Sequence, residues 1–292
     1  MIRRILLRAV RSARFLPDRW AIALLYRLTV GRWPNIRAPA TFTEKLQWLK
    51  LHDRNPLYKI WVDKCAVRAW IADKVGPDAL IPVLAFFDEP LEMADTIYDI
   101  ASQPMILKCS HGSHCGIFLP SQVGAGMEKI AWRMQRWMWR SWYWYGREWP
   151  YRGLTPMILC EKWLGDRDGN PPNDYKVMCF NGRARVLQLH RKRGGVHHID
   201  FYDMCGYKLP FGLEGYPNDG YSHVTVPLLW RMREIAENVA EGTRYLRVDM
   251  YMVSGRVYAG ELTLYDSSGF GRYTGNGDAY LGGLLQQMEV GS

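Results

Sequence analysis

Two acids near the C-terminal end, Asp249 and Glu261, lie at equal distance from Gly255 in the run RVDMYMV-SGR-VYAGELTLY. If Ser254-Gly255-Arg256 turns a hairpin, the two carboxylates face each other on one side of it. Cross-strand neighbours there stand about 5 Å apart, and like charges repel. A hard cation such as Mg²⁺ takes oxygen ligands and would turn that repulsion into a site. Thr263, two residues on, points to the same face. Arg247, two residues before Asp249, shares the face, and its planar fork suits a carboxylate. The plain alternative is a solvated hairpin whose acids point at water.

A second group of residues suits an anion. Lys108 stands where the apolar run PMILK gives way to a loop, His111-Gly112-Ser113-His114-Cys115-Gly116. Glycines let backbone N–H groups approach an anion closely, and a lysine supplies a point charge for a phosphate oxygen. Cys109, His111, His114 and Cys115 share this segment, but their spacing does not fit the separated ligand pairs of structural zinc sites. His190, His197 and His198 lie beside Arg191, Lys192 and Arg193, which reads as a solvated basic loop or, alternatively, a clamp for an anionic acceptor. No GxSxG run or ordered Cys/His/acid set marks a nucleophile.

These residues need elements to hold them. A chain of 292 residues with 48% hydrophobic content suits one large or two moderate domains. Its six cysteines form no CxxC pair, which fits a reducing cytosolic setting. Residues 1–37 carry nine arginines, one acid and no lysine, so nearly all of the net +9 sits in a terminal arm. A nucleic-acid enzyme would spread its basic charge over the body, so nucleic acid is excluded as a partner. Ile2, Ile5, Leu6, Ala9, Val10 and Ala13 fall on one helical face with arginines elsewhere, the pattern of an interfacial helix on an anionic inner leaflet. The arm is too short and charged to span a bilayer and lacks the form of a secretory signal. An ordinary surface helix packed on the protein's own core is the alternative.

Beyond Pro34–Pro39, a capped helix is expected from Thr41 or Thr43 and another across VDKCAVRAWIADKVG, ended by Gly76-Pro77. Short strands follow in ALIPVLAFF and QPMILKCS, then an aromatic-rich helical stretch over residues 127–145, read as packing or as a stacking platform. TPMILCEKWLG reads as a strand, Asn181-Gly182 as a hairpin turn, and residues 226–241 as a helix. The pattern is α+β with antiparallel sheet in the C-terminal half.

Five pieces recur in a meaningful order: VDK with Lys64, ILK with Lys108 and its loop, ILCEKWLG, DYKV, and RVD…GELT. This order resembles the ATP-grasp superfamily, and VDK and EKWL are similar to stretches of D-alanine–D-alanine ligases. TFTEKLQWLKLHDRNPLY, VDKCAVR, YGREWPY, DYKVMCFNG and the GELT hairpin resemble more closely the TupA-like ATP-grasp family of cell-surface polysaccharide clusters, over residues 33 to 272. The resemblance implies an ATP-grasp fold in which two α+β subdomains clasp ATP. It divides the chain into an arm (1–33), an N-terminal α/β region (34–104), a small subdomain (105–165) and a C-terminal subdomain (166–292).

It also implies roles. Lys64 and Lys108 would reach the ATP phosphates, under a loop of His111, Gly112, Ser113 and Gly116. Glu161, Lys162, Trp163 and Leu164 would form the adenine hinge, Asp174 would accept the ribose hydroxyls, and Lys176 would face phosphates or acceptor. Asp249 and Glu261 would hold Mg²⁺, whereas Thr263 departs from the Asn usual in the superfamily. The implied activity is carboxylate–amine ligation through an acyl phosphate, with Arg247 or Arg147 on the carboxylate or the acyl-phosphate oxygens. The acceptor would be a uronic-acid carboxylate on a small or lipid-linked saccharide and the co-substrate an amine, at the inner face of the cytoplasmic membrane. A sugar phosphotransferase, or a polysaccharide-biosynthesis protein without ligase activity, is the alternative.

Overall fold

Asn181-Gly182 and Ser254-Gly255 are two-residue turns with positive φ at both positions (51° and 73°, 51° and 74°). Such turns match the right-handed twist of the strands they join. The computed structural model describes residues 2–100, 103–120, 126–166, 168–191 and 195–285. In it the first turn joins β5 (Asp174–Phe180) to β6 (Arg183–Arg191), and the second joins β8 (Tyr245–Val253) to β9 (Arg256–Thr263). With β7 (His198–Asp203) they form a five-stranded antiparallel sheet in the order β7-β6-β5-β8-β9. The smaller sheet, β1-β4-β2-β3, is antiparallel as well: β1 (Val83–Phe87), β2 (Met105–Cys109), β3 (Gly116–Leu119) and β4 (Ile158–Lys162). It takes β1 from upstream of residue 105.

Helices cover the sheets. The N-terminal set is α1 (Ile2–Ser12), α2 (Asp18–Val30), α3 (Phe42–His52), α4 (Tyr58–Val62) and α5 (Val67–Val75). Then come α6 (Pro90–Ile100), α7 (Met127–Met138), α8 (Tyr143–Gly146), α9 (Leu229–Val239) and α10 (Gly277–Leu284). Of the two candidate caps, Thr41 starts α3, closing a capping box with Glu44. The larger core joins Phe42, Leu46 and Trp61 to Val177, Leu187, Ile235 and Val248. A separate core under the small sheet joins Met93, Ile97, Leu107, Met134 and Ile158. The aromatic stretch breaks after Met138; Trp132 and Trp139 are exposed, Tyr143 is buried, and Trp142 stacks on Tyr145 at 4.7 Å.

Candidate functional site

The acidic hairpin pairs Asp249 with Glu261, but not through a turn centred on Gly255. From the Ser254-Gly255 turn the ladder runs Val253↔Arg256 to Met250↔Ala259, and a bulge then leaves Gly260 unpaired. Without that extra residue Asp249 would oppose Gly260, and Glu261 would point to the other face. A side chain at Gly260 would come within 2.8 Å of the Tyr251 ring. Arg247 pairs with Thr263 two steps further along, so four polar residues share one face.

These groups neutralise one another. Arg247 donates from Nε to Asp249 Oδ1 (2.6 Å), from Nη2 to Asp249 Oδ2 (2.8 Å) and Thr263 Oγ1 (3.2 Å), and from Nη1 to Asp266. Lys176, opposite Asp249 on β5, pairs with Asp249 and with Asp174 Oδ2 (2.8 Å). Lys64 Nζ lies 3.0 Å from Glu261 Oε2 and donates to the Gly112 carbonyl at 2.6 Å. Asp63 caps the turn that presents Lys64, accepting from the Cys65 N–H at 2.8 Å. Burial pulls the Lys64 and Lys176 ammonium groups down. The carboxylates outweigh it: Glu261 for Lys64, Asp174 and Asp249 for Lys176, and both end above the ordinary lysine value. Enclosure pushes Glu261 up, but Lys64 and Lys176 hold it below the usual carboxylate range. Among the described residues, no three His, Cys, Asp or Glu side chains gather at one point.

At the other end, Lys108 Nζ sits 2.7 Å from Glu161 Oε2, while Arg68 holds Glu161 Oε1 at 3.0 Å. Glu161 is 1% exposed, so its carboxylate anchors these two cations. Beside it is a pocket of about 290 Å³ lined by Ile106, Phe118, Lys162, Trp163, Leu164 and Tyr251 among others. The Phe118 and Trp163 rings meet at 4.9 Å. The Trp163 backbone N–H is already given to the Pro104 carbonyl at 3.0 Å and its indole N–H to the Asp166 carbonyl at 2.9 Å, which leaves other atoms of the segment to face a ligand.

The pocket adjoins a cleft of about 710 Å³. Lys64, Lys108, Gly112, Ser113, Gly116, Asp174, Lys176, Arg247, Glu261 and Thr263 all line it, with Asp249 buried beneath at 1% exposure. His111 turns away, its Nε2 at 3.0 Å from the Arg140 carbonyl. Arg147 does not line the cleft either. Its Nη1 reaches the Leu16 carbonyl (3.1 Å) and Asp18 (3.2 Å), its Nη2 reaches the Ala13 carbonyl (2.8 Å), and its guanidinium lies over Trp144. It therefore fastens the segment after α1.

Asp266, Ser267 and Ser268 also line the cleft and carried no sequence signal. Asp266, which fixes Arg247, stands in the run Asp-Ser-Ser-Gly just past β9, where Ser267 and Ser268 adopt left-handed φ of 49° and 55°. Glu148 pairs with the Ser268 hydroxyl, and Lys50 donates to the carbonyls of Gly146 (2.8 Å) and Ser268 (2.6 Å). Burial pulls Lys50 down to about 7 against the field of Glu148. His190 and His197 meet at 3.1 Å in the cleft wall. Arg191 instead pairs with Asp200 (2.9 Å) and Asp219 (2.8 Å), and Lys192 and Arg193 lie outside the described residues.

No curated protein matches the chain. Similar solved structures include an ADP complex of purK, N5-carboxyaminoimidazole ribonucleotide synthetase, at 16% identity and TM-score 0.43, covering 76% of this chain and 50% of that one. D-alanine–D-alanine ligase from Bacillus anthracis is 15% identical, with TM-score 0.41 and coverage of 70% and 57%. The ATP-grasp ligase PsnB with minimal precursor, Mg and ADP is 14% identical, with TM-score 0.39 and coverage of 88% and 64%. The chain thus spans from half to just under two thirds of the length of these structures. The family model for TupA-like ATPgrasp matches residues 44–286, from within α3 to beyond α10, and the chain belongs to that TupA-like ATP-grasp family.

Proposed function

We propose that the protein is an ATP- and Mg²⁺-dependent carboxylate–amine ligase acting on a uronic-acid saccharide in the synthesis of bacterial surface polysaccharide. One observation carries the ATP part: an apolar pocket, two lysines, a glycine loop and the acidic hairpin follow one another along a single cleft. In this reading adenine lies against Phe118 and Trp163, Asp174 meets the ribose, and Lys108 and Lys64 draw the phosphates under the loop of residues 112–116. The polysaccharide part rests on the family resemblance.

The donor set suits Mg²⁺. Asp249 and Glu261 offer hard oxygens in facing register, their charges now balanced by Lys64, Lys176 and Arg247, and phosphate oxygens and water would complete the shell. When bound, Mg²⁺ supplies neutralisation of phosphate charge. Lys64 leaves Glu261 for a phosphate oxygen, and Lys176 stays within reach of both phosphate and acceptor. Four of the five N–H donors of Arg247 are engaged, so one remains to steady a carboxylate while the residue holds Asp249 in place. The acceptor carboxylate oxygen takes the γ-phosphoryl group and ADP leaves. The amine nitrogen then bonds to the acyl carbon, phosphate departs, and a proton is released. In such transfers positioning and charge neutralisation do most of the work.

Mass spectrometry of reactions holding Mg-ATP, a uronic-acid panel and an amino-acid mixture tests the reading. The expected product has the mass of acid plus amine less one water, with one ADP for each amide. ATP turnover that needs no amine would sink the ligase reading and favour phosphoryl transfer to a sugar hydroxyl.

A further inference from the structure

α1 carries two apolar stripes, and the protein uses only one. Leu7 and Val10 pack against Leu25, Tyr26 and Phe270. Ile2, Ile5, Leu6 and Ala9, at helical spacing, form a second stripe that points to solvent, with Ile2 73%, Ile5 56% and Leu6 46% exposed. Phe15, just past the helix, is 89% exposed. A helix packed only on its own core accounts for Leu7 and Val10 and leaves the second stripe without a reason.

The arm is held firmly. Arg3 gives its Nη2 to the Thr29 carbonyl at 2.7 Å, Arg11 lies 3.8 Å over the Tyr145 ring, and Arg147 grips the Ala13 and Leu16 carbonyls. Arg4 and Arg8 stay exposed on the same helix, with no ion pair among the described residues. The single acid of residues 1–37, Asp18, is committed to Arg147 and Tyr143. Positive charge beside an open apolar stripe is complementary to one kind of surface, anionic above and apolar below. No described helix is long and apolar enough to cross a membrane, so the helix would lie in the plane of that surface.

We propose that α1 and the turn after it dock on an anionic lipid bilayer. Ile2, Ile5, Leu6 and Phe15 enter the boundary between headgroups and acyl chains, and Arg4 and Arg8 meet lipid phosphates. Tyr145, beneath Arg11, also lines the cleft, so docking holds that rim of the cleft beside the bilayer. The docking stands on the arm alone and is independent of the ligase reading.

Flotation of the full chain, without nucleotide, on phosphatidylglycerol–phosphatidylcholine vesicles and on pure phosphatidylcholine vesicles tests it. The full chain is expected to float with the anionic vesicles and to be released by high salt. Ile5→Glu/Leu6→Glu and Arg4→Glu/Arg8→Glu are each expected to weaken anionic-vesicle binding by about tenfold or more. Thermal melting of both variants should match the parent, because the altered side chains are exposed. Equal flotation of parent and Ile5→Glu/Leu6→Glu overturns the proposal, as does failure of the parent to float. A dimer in light scattering that Ile5→Glu/Leu6→Glu dissolves overturns it as well, by making a second copy of the chain the occupant of the stripe.

Discussion

Cys115 sits in the loop that would cover the phosphates, one residue from the start of β3. The neighbouring Cys109 thiol and the charges of Lys64 and Arg140 outweigh burial and pull its thiol down to about 7. The neighbouring Cys115 thiol, with burial, pushes Cys109 up. The thiolate is the reactive form, so alkylation at Cys115 should rise as pH passes through about 7, while Cys109 stays unmodified. Because Cys115 lines the cleft, Mg-ATP should slow that alkylation. Peptide mapping after iodoacetamide treatment reads both effects. A rate at Cys115 that is flat with pH and indifferent to Mg-ATP would contradict the placement of the loop over the phosphates.

The hairpin and the arm show which elements local sequence can dictate. Facing acids follow from a short-range count of residues, and Asn181-Gly182 is a turn by its own backbone chemistry. The Gly260 bulge was not visible in that count, because one tight two-residue turn plus one extra residue mimics a turn centred on Gly255. Gly260→Val would drive a branched side chain into the Tyr251 ring, and overpacking of this kind costs about 1–3 kcal/mol. Denaturant titration should show that loss, together with weaker protection by Mg-ATP. The tasks of Arg147 and Asp266 were not legible for a different reason. Their partners lie far away in the chain or depend on the strained backbone after β9, which no spacing rule reports. Arg147→Ala should cost about 2 kcal/mol, discounted because its partner Asp18 is part-exposed, and should open the segment around Arg11 and Arg14 to trypsin. Nucleotide protection should persist in that variant. Its complete loss in an otherwise folded protein would return Arg147 to the reacting centre. α2 belongs to the body, with Ala21, Ile22, Leu25 and Tyr26 all buried, so substitution on α1 is a cleaner probe of the arm than truncation through residue 30.

At the scale of the whole molecule, the two sheets meet across a cleft whose walls are held by opposed charge. Lys64 spans it, reaching Glu261 on β9 and the Gly112 carbonyl in the loop of the small sheet. A nucleotide bound there would contact both sheets, and a ligand that binds only the folded chain stabilises it by about 2.7 kcal/mol at one hundred times its Kd. Mg-ATP should therefore raise Tm by several degrees, and ATP with a chelator by less. Glu261→Gln is the informative variant, because Glu261 is less enclosed than Asp249 and, among the described residues, its ion-pair partner is Lys64. Its own Tm should fall modestly, because Lys64 loses its counter-charge, and the added protection from Mg²⁺ should vanish. Equal Mg-ATP protection in the parent and in Glu261→Gln would remove Glu261 from the metal site. Protection by a nucleotide sugar in place of ATP would instead show that the cleft between the sheets receives a glycosyl donor, because the pocket beside Phe118 and Trp163 would then take a base whose phosphates lead to sugar.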